Sequence, residues 1–531
     1  MFSLKNAIYI RWRFLFFTIF LPALLSAKAD LSMVNLHVKP DFKQKSIQVV
    51  CKQIWQTASD DSTINLLLYP QLAIDSLLLD GQRPKWVRNA NHISILLDSR
   101  KAGQRHLRVV YHGKPLEAPN APWDGGFVWA IDPDGKPWLT VACQDKGAAL
   151  WWPAPEAYSD HPESAFVSCT YPANLFFKGN GQLVEDKKLK NKLRYTSWKS
   201  TYPINTYNLS LNIGDYGLII DTLVRRNGTQ LALAYYPLKR NIDAARRQFQ
   251  QVKPMIDCYE QYFGPYPYER DGFSIVEVPY AGMEHQGAIA YGNGYKDGYL
   301  GADYSGIGLD FDFILIHESG HQWWGNAVTA AEQGDEWHQE AFCTYAEYTY
   351  VRCRYGAAKA VEYVNAKKRL VANEFPILST DDSGIDMYSK GALMLYTLEN
   401  LIGPGKWKDL LLELQENFRF KPLSTDELVR WMSVKTGRNL AGFFEQYLTR
   451  ADIPVLEYKI TQRSTANAPD VMHYRIANAV SGFQLPVSLV ERGRPVGQII
   501  ATGFWQESPV SSFEVMPDEN ASYFSPVLLK N

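Results

Sequence analysis

Residues 317–326 read HESGHQWWGN and follow the apolar run FDFILI. On a helix, His317 and His321 lie one turn apart on the same face, so both imidazoles can reach one metal ion. That spacing suits Zn²⁺, which takes nitrogen and oxygen ligands in a tetrahedron. Glu318, beside the first histidine, can point at a water on the metal. A catalytic zinc site has three protein ligands and one open position, so a third ligand is required. Gly325 and Asn326 end the first helix and allow the next to fold back beside it. The following stretch, GDEWHQEAF, offers Glu336, His338 and Glu340, and spacing does not choose among them.

Taken together, His317, Glu318 and His321, with Glu340 further on and WWGN after the second histidine, resemble the zinc signature of the aminopeptidase N family of gluzincin metallopeptidases. Leukotriene hydrolase belongs to the same family. The resemblance implies Glu340 as third ligand and Glu347 as a carboxylate supporting the metal shell. YAGMEHQGAIAYGN at 280–293 resembles the family's exopeptidase motif, with Ala281 at the usual glycine and His285 at the usual asparagine. It implies that Glu284 holds the substrate's α-ammonium, and that Ala281, Gly282 and Met283 line the peptide site. A carboxylate near the metal is a sensible partner for a cationic amino terminus. DMYSKGALMLYTLENLIG resembles the segment whose tyrosine, here Tyr388, reaches the reacting carbonyl oxygen. TVACQDKGAALWWPAPE resembles a segment of the N-terminal domain whose glutamine, here Gln144, also contacts the ammonium.

The resemblance implies a Zn²⁺-dependent aminopeptidase, one ion per chain, acting on peptides with a free amino terminus. It also implies a short form without the large helical C-terminal domain of many members. Two other readings are a zinc hydrolase of a non-peptide substrate, of the epoxide type, and a non-catalytic binding protein on the same fold.

The elements that must position these residues follow from texture. From 31 to about 235, segments of alternating polarity such as SIQVVCKQIW and HLRVVYHGK are broken by Gly, Pro, Asn and Asp, and predict an antiparallel β domain of sandwich type. From 238, helical spacing takes over and predicts a mostly helical domain, which the resemblance implies is a thermolysin-like catalytic domain. Alternation returns after 452. The expected organisation is a leader at 1–29, an N-terminal β domain at 30–237, a catalytic domain at 238–452 and a small β domain at 453–531, α+β overall.

The first 29 residues carry Lys5, Arg11 and Arg13, then FLFFTIFLPALLS and the small-residue site AKA. This is the pattern of a secretory signal peptide cleaved near Ala29, with an uncleaved membrane anchor as the alternative. The 46% apolar and 21% charged content describes a globular protein, and a net charge of −1 gives no field favouring nucleic acid or anionic membrane. Six cysteines in 531 residues are not a disulfide scaffold. Cys343 and Cys353, ten residues apart on one helix, are separated by roughly 15 Å of rise and cannot pair. All six are compatible with buried thiols.

Overall fold

The computed structural model describes residues 29–97, 102–143, 147–158, 160–378, 384–462 and 469–530. The leader and Gln144 lie outside the described residues. Among those described, no helix is long and apolar enough to cross a membrane.

Alternation shapes the N-terminal region as expected. In Ser46–Thr57, Ile47, Val49, Cys51, Gln53, Trp55 and Thr57 point inward and their neighbours outward. This strand sits in a seven-stranded sheet in the order Gln182–Lys188, Leu193–Ser200, Ser164–Pro172, Asp30–Asp41, Ser46–Thr57, Gly103–Gly113, Leu72–Leu79. The sheet is antiparallel except where Asp30–Asp41 runs parallel to Ser164–Pro172. Two four-stranded sheets complete a shared core that includes Trp55, Tyr111, Trp151 and Trp152.

Across NLSLNIGDYGLII the chain leaves a 3-10 turn at Thr206–Asn208, forms a short strand at Asn212–Gly214 and enters a second strand at Ile219–Val224. The Asn180 side chain takes the Ser210 N–H at 2.8 Å, so part of this backbone bonds to a side chain instead of a ladder. Ile219–Val224 and Gln230–Tyr236 form a hairpin that joins Phe273–Glu277, Ile289–Tyr291 and Gly282–Met283 in a five-stranded sheet. Gly282–Met283 is an edge strand of that sheet.

Eight helices needed below or packed with them follow: α1 (Ile242–Gln248), α2 (Val252–Phe263), α3 (Phe313–Gly320), α4 (Trp337–Tyr355), α5 (Ala357–Ala366), α6 (Asp386–Ile402), α7 (Pro404–Phe418) and α8 (Thr425–Thr436). A 3-10 turn at Phe249–Gln251 separates α1 from α2. Gly264, at φ 86°, ends α2. Helices α3, α4 and α6 form the centre, and their core is continuous with that of the C-terminal strands, including Leu485 and Val487. Cys258 on α2 and Cys353 at the far end of α4 form a disulfide. Cys51, Cys143, Cys169 and Cys343 are buried thiols, and Cys343 and Cys353 are not paired with each other, as their spacing requires.

Candidate metal centre and peptide site

Asp312 starts α3. Its buried carboxylate takes the Leu315 N–H at 3.1 Å, the Tyr291 hydroxyl at 2.6 Å and the Asn293 amide at 2.8 Å, anchoring the helix to the five-stranded sheet. His317 lies in the helix and His321 caps its end. Their Nε2 atoms are 3.2 Å apart. Past His321 the chain reverses through Gly325, at φ 111°, and α4 returns alongside α3.

The first turn of α4 resolves the choice that spacing left open. Glu340 Oε2 lies 3.3 Å from each Nε2. His338 turns away and bonds the Leu423 carbonyl at 3.0 Å, and Glu336 accepts from the Tyr158 hydroxyl at 2.6 Å. The Nδ1 atoms are engaged elsewhere: His317 with Glu347 Oε1 at 2.7 Å, His321 with the Trp324 carbonyl at 2.9 Å. With protons on Nδ1, both imidazoles present Nε2 lone pairs to a carboxylate oxygen. Three such donors repel one another unless a cation lies among them. A tetrahedral ion with bonds of about 2.0–2.1 Å has ligand–ligand edges of about 3.3 Å, so the triangle fits one. Glu347 is fully buried; its Oε2 accepts from Tyr363 at 2.5 Å and Lys367 at 2.6 Å. Burial works to raise its pKa, but the Lys367 charge and the His317 bond hold it below the usual carboxylate range.

Glu318 faces the opposite strand. Ligand atoms of Glu318, Glu284 and His321 all lie within 4.8 Å of one another. Burial drives the Glu318 carboxyl upward against the pull of both imidazoles. Glu284 is 2% exposed, and its Oε1 accepts from the Tyr207 hydroxyl at 3.0 Å. Its carbonyl accepts from Asn326 at 2.6 Å and Gln322 at 3.2 Å, so the segment after His321 holds the strand that carries Glu284. The N-terminal region grips the same loop: Asn180 donates to the Gln286 carbonyl at 2.8 Å and Lys178 to that of Gly287 at 3.3 Å. His285 is fully buried with no hydrogen-bond partner on either ring nitrogen among the described residues, and burial pushes its pKa down to about 3. It is therefore a buried, neutral imidazole next to Glu284 in the chain. Ala281 accepts the Gly292 N–H at 2.8 Å, and Met283 is buried.

A methyl group on Gly282 would sit 2.5 Å from Glu318 Oε1 and 2.7 Å from Ile314 Cγ2. Close approach to Glu318, not backbone torsion, is what requires glycine here. Gly282→Ala displaces the Glu318 carboxylate, and steady-state kinetics should show kcat lowered by about a hundredfold with the metal retained, the scale of a 1 Å misplacement.

Tyr388 is half-buried in the first turn of α6, with its ring centroid 6.0 Å from that of His317. The residues after it have packing reasons. Lys390 donates to the carbonyls of Arg450 and Ala451 at 2.8 and 2.7 Å. A Cβ on Gly391 would meet Ala341 Cβ at 2.6 Å, so this glycine lets α6 press against α4 beside Glu340.

Sequence reasoning missed Tyr207, Tyr363, Lys367, Gln322 and Asn326. The first three come from distant segments and carry no local signal. Gln322 and Asn326 lie within the quoted histidine motif, and their polarity in a buried stretch was the available sign.

Comparison with known proteins agrees with this geometry. Residues 247–447 match the peptidase family M1 domain. The chain is 24% identical over 308 residues to aminopeptidase N of Escherichia coli, covering 54% of this chain and 34% of the relative. It is 21% identical over 343 residues to leucyl aminopeptidase of Saccharolobus solfataricus, covering 60% and 42%. The chain thus spans well under half the length of these curated relatives. An M1 zinc metallopeptidase from Deinococcus radiodurans superposes with a TM-score of 0.68 at 19% identity, over 80% of this chain and 94% of that one. A mutant of that protein bound to a Tyr-Ser-Ala substrate gives 0.66 at 20% identity, over 80% and 95%. Residues 247–447, which include both histidines, Glu340 and Tyr388, thus match the domain of peptidase family M1, and over 80% of its length the chain shares the fold of an M1 zinc metallopeptidase.

Proposed function

We propose that this chain is a zinc-dependent aminopeptidase that removes the first residue from peptides with a free amino terminus. The observation that carries it is the meeting of the His317–His321–Glu340 triangle with two further carboxylates, Glu318 and Glu284. The aminopeptidase names of the relatives and the tripeptide bound by the structural neighbour support it.

When bound, Zn²⁺ supplies Lewis acidity that lowers the pKa of water and polarises a carbonyl. His317, His321 and Glu340 would hold it. Glu318 takes the proton of the attacking water and delivers it to the leaving amine. The Tyr388 hydroxyl donates to the carbonyl oxygen as negative charge develops. Glu284 and Gln144 hold the ammonium, which fixes cleavage after residue one. Ala281, Gly282 and Met283 offer the sheet edge to the peptide as an added strand. Tyr388→Phe should lower kcat by about a hundredfold or more, with KM little changed, in initial-rate measurements.

The test is hydrolysis of aminoacyl anilides and their acetylated counterparts, with and without a chelator. Chelator-sensitive cleavage confined to free amines supports the proposal; equal cleavage of acetylated substrates contradicts it.

We also propose export, with the leader removed near Ala29. The leader's three-part pattern and the Cys258–Cys353 disulfide support an oxidising compartment. Mass spectrometry of the mature chain tests it: an intact Met1 would contradict cleavage.

A further inference from the structure

Behind the metal triangle lies a charge that the hydrolytic roles leave unused. Lys367 sits in a 3-10 turn at Lys367–Leu370, directly after α5, and is 6% exposed. Its ammonium is 2.6 Å from Glu347 Oε2, 5.0 Å from the centroid of the Phe313 ring and 4.9 Å from that of Tyr363. The Tyr363 hydroxyl donates to the same Oε2. Phe313, one turn before His317 on α3, stacks on its imidazole with centroids 5.7 Å apart and planes 11° from parallel. Lys367 therefore meets His317 by two routes: through Glu347 to Nδ1, and across the Phe313 ring to the imidazole face.

A buried ammonium is stabilising only with a well-placed partner. Here the partner is the carboxylate that orients a metal ligand. Two donors fix Oε2, so the carboxylate cannot rotate, and Oε1 is left facing Nδ1 of His317. A ligand histidine keeps its aim only as well as the group that holds its second nitrogen. The strand of chain after Lys367 is also tied to the helix of Tyr388: Asp386 takes the N–H groups of Ala372 and Asn373 at 2.7 Å each.

We propose that Lys367, with Tyr363, is a positioning residue that locks the Glu347 carboxylate and so aims His317 Nε2 at the metal. The inference rests on the ligand assignment but not on which substrate is cleaved. Lys367 contacts Glu347, Phe313 and Tyr363, none of them a proposed metal ligand or peptide-site residue, so its effect should appear first in metal affinity.

The test uses the purified full-length protein in competition with a chromophoric zinc chelator. Lys367→Met should weaken zinc binding by about 10–100-fold, the usual cost of losing an outer partner of a metal ligand. Lys367→Arg, which keeps the charge, should restore most of it. In a Glu347→Gln background, Lys367→Met should add less than about threefold, since the lysine acts through that carboxylate. The visible absorption of the Co²⁺-substituted protein should shift in Lys367→Met and return in Lys367→Arg, which a merely structural role would not produce. If Lys367→Met does not fold, Lys367→Gln carries the same expectation. Native affinity in the folded variant overturns this inference alone, as does a full-sized loss in the Glu347→Gln background. A native chain that takes up no zinc overturns both this inference and the peptidase reading.

Discussion

Glu318→Gln is expected to keep its zinc and to lose about 10²–10⁴-fold in kcat, the range of general acid–base catalysis. The substitution preserves the shape of the side chain and removes its capacity to accept a proton. Glu318 is well placed for that work: it sits beside the first metal ligand, and its carboxylate lies within 4.8 Å of both a His321 nitrogen and the Glu284 carboxylate. Gly282 leaves room for it, since any side chain there would intrude on Oε1. Zinc content alongside kcat separates the two ways activity can disappear. Turnover near the native rate in zinc-loaded Glu318→Gln would remove the residue from the chemistry.

Glu284→Ala is expected to lower kcat/KM for free-amino peptides by about 30- to 5,000-fold, the range for truncating one partner of a buried charge pair. Glu284 is 2% exposed, and Tyr207 occupies only Oε1. The strand beneath it is fixed by Asn326 and Gln322 from the segment after the metal helix, so its distance to the metal is set by rigid structure. An acetylated peptide has no ammonium to pair. The native enzyme should therefore prefer the free amine strongly, and the variant should lose most of that preference. Discrimination unchanged by Glu284→Ala would place the amine anchor elsewhere.

What the sequence revealed depended on range. The histidine pair was legible because its chemistry is written within one helical turn. Glu340 was not separable from Glu336 and His338 by spacing, because what divides them is remote: Tyr158 holds one and the Leu423 carbonyl the other. The resemblance named Glu340, the residue that the fold places beside both histidines, where periodicity had no information. Four of the eight helices are followed directly by a glycine, α2 by Gly264, α4 by Gly356, α6 by Gly403 and α8 by Gly437, and these ends carry a local signal. The β region to about 235 was visible in the alternation, but the pairing of Gln230–Tyr236 with Phe273–Glu277 was not, because alternation specifies a buried face and not a partner. At 208–214 the local pattern does not show that the Asn180 side chain takes the Ser210 N–H in place of a ladder bond. Lys367 shows the limit most plainly. In the sequence it is one of several basic residues after a helix, and only the fold places it against Glu347.

The most direct measurement is elemental analysis of the purified protein, native and Glu340→Ala, each shown to be folded by circular dichroism. One zinc per native chain, lost in the variant together with cleavage of a free-amino peptide, is the predicted result. A native chain that cleaves that peptide without metal, or a Glu340→Ala variant that retains a full zinc equivalent, would contradict the account.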